Sequence, residues 1–478
     1  MIKIFSDKKK LLEFGFLAIL LAAFNIGYSI ISVQSHNHFE TFGWDLGYFD
    51  QLIWKVSQGI YPYSTLSHVN LLAGHFAPIL FLFAPLYFFW SDPRMLLIVQ
   101  SFLMVIAALP LYFLSKYKTK SVIFSFALVV AYLLFQGTQW SILNEFHEAT
   151  AAPFFIILIF WALEKKKSWL IFLSSLGLLA TKEEMALLLS AIAVPIFFYF
   201  RHKKKGVIIG IISLSIFFAL VLFIMPKISE SGVFYQEKLS GDTKTPTDFM
   251  IKIVTNPLYI ITSFFTPPQK ITVLIISILS FGLLPVFSPW PILVPLFEQF
   301  FMRFIYTGPQ FTFWQNVNHH SAPSAILLSI ASIYGATVIV KSKKHKYLTY
   351  PVLAGFLIIS TLTQDILLKN PIHSLFKTSL YHQTEWMENN SEIIRQIPPN
   401  ASVAAQNNLF PHLSQRKDIF LFPELGDAEY VVFDFSDGPN KYSPSDRESL
   451  LKLSANLLES NLYRLKQKNG EAVLLQRN

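Results

Sequence analysis

Lys116-Tyr117-Lys118-Thr119-Lys120 separates two apolar runs, residues 93–115 and 121–138, each long enough to cross a bilayer as a helix. Cationic loops stay on the cytoplasmic side, so this turn makes the two runs a hairpin of spans with its bend inside. Working outward, four further clusters interrupt the apolar chain: Lys8-Lys9-Lys10, Lys165-Lys166-Lys167, Arg201-His202-Lys203-Lys204-Lys205, and the stretch from Lys341 to Lys346. Each is separated from the next by enough apolar sequence for one pair of spans or more. The segment 76–90 is also apolar, but it is short and carries Pro78 and Pro85. Counting it as a span would turn residues 116–120 outward, so the pattern predicts an interfacial helix on the outer surface.

On this reading the chain is a polytopic α-helical membrane protein of about eleven transmembrane helices, over residues 11–33, 93–115, 121–138, 149–163, 169–180, 185–200, 207–225, 271–288, 292–305, 322–340 and 347–366. The N-terminus resembles a secretory leader, but its apolar run is long enough to span and no small-x-small cleavage site follows Ile31, so an uncleaved first helix entering from the cytoplasm is expected. Residues 1–369 form the membrane domain, with outer loops at 34–92, 139–148, 227–270 and 306–320. A shorter helix is expected near residues 249–259.

Composition agrees. The chain has 478 residues, 53% of them hydrophobic and only 14% charged, far more apolar than a soluble domain. Cysteine is absent, which excludes disulfides, thiolate chemistry and Cys-type metal sites. The formal charge of +9 sits in inter-span loops, so it points to membrane lipid and not to nucleic acid.

Residues 370–478 differ in character and read as a small extracytoplasmic α/β domain. Helices are expected at 379–397 and 446–460, strands at 402–405 and 430–435, and a hairpin over 463–475 around Asn469-Gly470.

The outer loops gather acids, bases and aromatics. Asp45 lies where a helix could start, with Tyr48, Leu52 and Val56 at helical spacing behind it. As an N-cap it would stabilise that helix by about 1 kcal/mol; as a carboxylate at the membrane surface it could be the general base for an incoming hydroxyl. Asp50 lies off that face and could support Asp45 or bind a ligand. His75 follows Gly74, a place where a lone imidazole is commonly structural. Asn144-Glu145-Phe146-His147-Glu148 could steer a substrate or bind a metal, although its spacing is not that of a zinc helix. Thr181-Lys182-Glu183-Glu184 sets three charges between two apolar segments. Ionisable groups at a membrane margin are costly and tend to be functional or paired, so Lys182 could hold a lipid phosphate or simply pair with Glu184. Arg303 could grip a phosphate by two parallel hydrogen bonds, with His319 and His320 facing the same vestibule. Phe311, Phe313 and Trp314 could stack on a sugar or a prenyl chain, or form an interfacial aromatic belt. Phe410-Pro411-His412-Leu413-Ser414-Gln415-Arg416 forms a compact turn that could dock the tail onto the membrane domain.

These stretches together, with Gly74-His75-Phe76-Ala77-Pro78, Asn408-Leu409-Phe410 and Ala428-Glu429-Tyr430-Val431-Val432-Phe433-Asp434, resemble a prokaryotic membrane-protein family catalogued as domain-of-unknown-function family 2079. The resemblance covers nearly the whole chain. The acidic residue after the first span, the interfacial segment before the second and the Thr-Lys motif between later spans also resemble the GT-C superfamily of membrane glycosyltransferases. That resemblance implies a sugar donor linked to a polyprenyl phosphate, catalysis on the outer face and inversion at the anomeric carbon. It places the catalytic base at Asp45 and a donor-phosphate lysine at Lys182, although Glu183 follows Lys182 where related lipid-A-modifying transferases often have Gly. The expected site is then Asp45 and Asp50 for catalysis, with His75, Glu145, His147, Lys182, Glu183, Arg303, His319 and His320 around the substrate. The acceptor is an unspecified glycan, lipid or protein, a divalent cation is a candidate cofactor, and the location is the inner (cytoplasmic) membrane. The rival readings are a lipid or solute transporter or flippase, and a non-enzymatic protein of envelope assembly. Nearly uncharged mid-span segments favour interfacial chemistry over transport.

Overall fold

The computed structural model describes residues 8–229, 246–306, 313–342, 349–438 and 441–478. Phe311, Lys343, Lys344 and Lys346, with parts of the expected outer loops 227–270 and 306–320, lie outside these. The α-helices of eight residues or more, in chain order, are α1 (Lys8–Asn37), α2 (Tyr48–Ser57), α3 (Arg94–Ile106), α4 (Ala108–Thr119), α5 (Val122–Leu134), α6 (Gln136–Leu143), α7 (Ala152–Glu164), α8 (Ser168–Leu179), α9 (Met185–Phe198), α10 (Lys203–Ala219), α11 (Pro246–Thr255), α12 (Pro257–Phe265), α13 (Gln269–Ser280), α14 (Trp290–Phe304), α15 (Ala322–Lys341) and α16 (Tyr350–Leu367). Among the described residues, five helices are long and apolar enough to cross a membrane, or up to seven if each bent pair counts as one span.

Helix α15 is the axis of the bundle, with 89% of its apolar window buried. Its small side chains permit this. Serines, alanines and Gly335 keep its surface narrow, so neighbouring backbones approach closely. A Cβ at Gly335 would lie 1.9 Å from the Leu284 carbonyl oxygen. Ser329 and Ser332 return their hydroxyls to the carbonyls of Ala325 and Leu328, so no hydroxyl is stranded among apolar neighbours.

Two expected spans are broken. The run 121–138 bends by 47° between α5 and α6, where Phe135 takes extended ψ. The run 271–288 stops at Ser280, where Gly282 and Leu283 take positive φ before a 3₁₀ turn at Leu284–Phe287. The expected interfacial helix 76–90 is two 3₁₀ turns, Pro78–Leu82 and Ala84–Phe88. A proline opens each turn and prevents one continuous α-helix. Ile79, Leu80 and Tyr87 are buried, while Leu82, Phe88 and Phe89 are exposed.

The lysine clusters gather at one end of the bundle. Lys116 pairs with Glu13, Lys118 with Glu164, and Lys205 donates to Ser168. The other end carries α2, the 3₁₀ turns and the tail. The tail adds α17 (Glu385–Arg395), β1 (Val403–Ala405), β2 (Ile419–Leu421), β3 (Tyr430–Asp434), α18 (Arg447–Glu459), β4 (Tyr463–Asn469) and β5 (Ala472–Arg477). Its sheet has the order β2-β1-β3-β5-β4, with β1 parallel to β2 and β3, and β5 antiparallel to β3 and β4. Three short 3-residue to 5-residue strands form the buried parallel part, so they read as apolar runs without alternation.

Candidate functional site

Asp45 does not cap α2. It lies inside a single π-helical turn, Gly43–Gly47, entered from extended Phe42. That turn is held from two sides. From the bundle, the buried Glu145 accepts hydrogen bonds from the backbone N–H of Phe42 (2.8 Å) and Leu46 (3.1 Å). From the tail, Asn407 accepts the Gly43 N–H through both its carbonyl and its side-chain oxygen, each at 3.0 Å. The Phe410 ring lies so close to Gly43 and Gly47 that a Cβ at Gly47 would come within 2.5 Å of it. Burial, and then the nearby Asp45 carboxylate, push the Glu145 carboxyl well above its ordinary range, against the two N–H donors.

The segment bearing Glu145 and His147 is itself pinned by Gln100 of α3. Its amide NH₂ donates to the carbonyls of Ser141 (3.1 Å) and Ile142 (2.8 Å) and to that of Glu145, and its oxygen accepts from His147 N–H (2.7 Å). The His147 Nε2 then stands 3.6 Å from the Asp45 carboxylate, which is 37% exposed. The His147 ring stacks on His319 at 3.4 Å, and His319 lies 4.0 Å from His320. Asn144 fixes His319 through its ring nitrogen (3.0 Å) and its backbone N–H (3.1 Å).

Lys182 and Glu183 arrive from the turn between α8 and α9. Glu183 is fully engaged: one oxygen is 3.0 Å from His75 Nδ1 and the other accepts the Phe76 N–H at 3.0 Å. Lys182 is buried, 3.4 Å from Glu148 and 3.8 Å from Glu184. Burial alone would lower its pKa, but Glu184, Glu148 and Glu183 outweigh it and hold the ammonium charged.

These groups surround two adjoining cavities. The first, of about 360 Å³, is lined by Asp45, Tyr48, His75, His147, Lys182, Phe313, His319 and His320, with Trp44 at its edge. The second is narrower, about 50 Å³, and shares His75, Lys182, Phe313 and His320 with the first. Its remaining wall includes Glu184, Glu298, Arg303 and Tyr306. Eight of the ten expected site residues therefore line the first cavity or, as with Glu145 and Glu183, hold its walls, and Arg303 lines the second. Arg303 already donates to the carbonyls of Phe313, Trp314 and Gln315 and to Ser324 and Asn316, at 2.8–3.1 Å. Gripping a phosphate would require it to release part of that loop.

Asp50 departs from expectation. It is fully buried away from the cleft and accepts from Tyr87 (2.6 Å), Ser414 (2.6 Å) and Gln415 (3.2 Å). It joins the tail to the 3₁₀ turns and does not meet Asp45's substrate side. Burial pushes its pKa up to about 7, against those three donors. Gln100 and Glu298 were not singled out by sequence. Each is a polar residue within an expected apolar span, and that is the signal that could have marked them. Among the described residues, no three His, Asp or Glu groups converge to hold a metal ion.

The family model described as predicted membrane protein (DUF2079) matches residues 35–474, so the chain belongs to that family. No curated protein sequence matches it. Among solved structures it is similar to ArnT from Cupriavidus metallidurans bound to undecaprenyl phosphate, with a TM-score of 0.54, 9% identity, and coverage of 96% of this chain and 97% of that one. At that identity the likeness is one of fold, and it agrees with the GT-C-like architecture.

Proposed function

We propose that this DUF2079 member is an inverting membrane glycosyltransferase that moves a sugar from a polyprenyl-phosphate donor to an acceptor hydroxyl. The observation that carries the reading is that Asp45 and Lys182, from distant parts of the chain, line one cavity. The fold shared with a structure bound to undecaprenyl phosphate supports a polyprenyl donor. In the proposed step, the Asp45 carboxylate takes the acceptor's hydroxyl proton, and the acceptor oxygen bonds to the anomeric carbon from the face opposite the phosphate. The bond from that carbon to the phosphate oxygen breaks, and its electron pair leaves with the phosphate. Lys182 meets that charge by moving from Glu148 and Glu184 toward the phosphate, with the His75 and His320 rings lining the cavity beside it. Glu145, Glu183 and Gln100 are positioning residues, and His147 orients Asp45.

The proposal sets residues 1–369 across the inner membrane in about eleven spans, with the lysine end cytoplasmic. It sets the cleft and the domain 370–478 outside. The test uses full-length protein in nanodiscs with added polyprenyl phosphate, followed by a panel of polyprenyl-phosphate sugars. Wild type should retain the lipid and transfer sugar; Lys182→Ala should lose retention; Asp45→Asn should retain lipid but lose transfer. Transfer undiminished in Asp45→Asn would overturn the reading. One observation favours the transporter alternative: Glu298, within an apolar helix, faces the second cavity. A transporter would keep its flux in Asp45→Asn and lose it in Glu298→Gln.

A further inference from the structure

The lysine end of the bundle holds a separate cavity of about 360 Å³, between α1, α4 and α7. Its wall is aromatic and continuous. Phe14 lies 5.6 Å from Phe113, Phe113 lies 6.1 Å from Trp161, and Trp161 lies 6.0 Å from Tyr117, all between ring centroids. Its lip is cationic. Lys10, Lys116 and Lys120 line it. Lys165 stands 3.7 Å from the centroid of the Tyr117 ring and 4.6 Å from that of Trp161. Glu13 lines it as well; it pairs with Lys116 and accepts from Tyr112 at 2.6 Å. Four lysines against one glutamate leave the lip at +3.

We infer that this cavity is a binding site for one anionic phospholipid, its phosphate on the ammonium groups and its glycerol and upper acyl chains along the aromatic wall. Each half of the cavity selects. A free phosphate has no use for four rings. A zwitterionic lipid brings its own cation to a lip that already carries an excess of three. Basic pockets between membrane helices attract anionic headgroups, and cation–π contacts keep Lys120 and Lys165 folded over the rings at the rim, 4.6 Å and 3.7 Å from Tyr117. The site stands at the opposite end of the bundle from the Asp45 cleft, and the inference does not depend on the proposed transfer reaction.

The test is native mass spectrometry of the full-length protein with equimolar phosphatidylglycerol and phosphatidylcholine. Wild type should retain phosphatidylglycerol preferentially. Lys120→Gln/Lys165→Gln should lower that preference roughly tenfold. Lys203→Gln/Lys204→Gln removes the same charge from the first turn of α10, outside the cavity, and should leave the preference intact. Glu13→Gln removes the one repulsive group and should strengthen it, a gain that misfolding cannot imitate. Equal losses in the two double variants, or no gain in Glu13→Gln, would overturn the inference. So would displacement of the lipid by glycerol phosphate, which lacks the chains.

Discussion

Gly47→Ala tests whether the tail shapes the loop that carries Asp45. Gly47 has φ −61° and ψ −41°, an ordinary right-handed helical conformation. On backbone grounds alanine should therefore stabilise, by about 0.5–1 kcal/mol. The Phe410 ring reverses that sign. The new Cβ would stand 2.5 Å from Cδ1 and 3.0 Å from Cε1 of a ring that is fully buried. Carbon contacts settle near 3.5–4.0 Å, so ring and turn must separate by about 1 Å. Overpacking of this kind costs about 1–3 kcal/mol, which leaves a net loss of up to about 2.5 kcal/mol. Thermal unfolding of the full-length protein in nanodiscs measures it, with limited proteolysis reporting release of the tail. The partner variant Phe410→Leu removes the colliding edge. In that background Gly47→Ala should become neutral or stabilising, a coupling of about 1–3 kcal/mol between two residues 363 positions apart (410 minus 47). A rise in melting temperature for Gly47→Ala alone, or the same loss in the Phe410→Leu background, would refute the reasoning.

Three other outcomes follow from buried groups. Asp50 has a folded pKa near 7, above its ordinary value of 3.8, so the folded state holds a proton that the unfolded state has released. Stability should therefore fall as pH rises from about 4 to about 7, by at most about 4 kcal/mol, and then level off; Asp50→Asn should flatten that slope in pH-dependent melting curves, and an unchanged slope would exclude Asp50 as its source. Gln100→Ala strips the His147 N–H and the Ser141 and Glu145 carbonyls of the Gln100 amide, while the Ile142 carbonyl keeps the Ser32 hydroxyl, and each buried orphan costs about 1–3 kcal/mol. Its melting temperature should drop by more than that of a Leu-to-Ala change elsewhere on α3. Gly335→Ala drives a Cβ to 1.9 Å from a backbone oxygen, whereas Gly355 has open space around it. The first should abolish a monodisperse size-exclusion peak and Gly355→Ala should preserve it; two identical profiles would contradict the packing around α15.

The lysine turns and apolar runs made the helical bundle legible in the sequence, because charge and hydrophobicity act locally along the chain. The tail hairpin was legible for the same reason: Asn469-Gly470 carries its turn. What sequence could not reveal was depth. Nothing local marks residues 322–341 as the buried axis; its serines and alanines read as an ordinary span until neighbours close around them. The strand at 419–421 has only three residues and takes its place from pairing with β1. In the candidate site, residue types were legible and directions were not. Asp45 and Asp50 lie five residues apart on nearly the same stretch, yet one faces the cleft and the other the tail. Helical spacing set them on different faces, and only the tail's arrival decides which face is wet.

The double hold on the Asp45 turn has a consequence in time. Its last fastening, from Gly43 to Asn407, joins residues 364 positions apart. Synthesis at about 5–20 residues per second puts the two roughly 20–70 seconds apart on the ribosome. Once residue 145 has been made, Glu145 can hold its side of the turn, but Phe410 and Asn407 do not yet exist. A nascent chain already threaded through the membrane thus has an Asp45 without a fixed direction, and the carboxylate takes up its post only after residues 407–410 have been made.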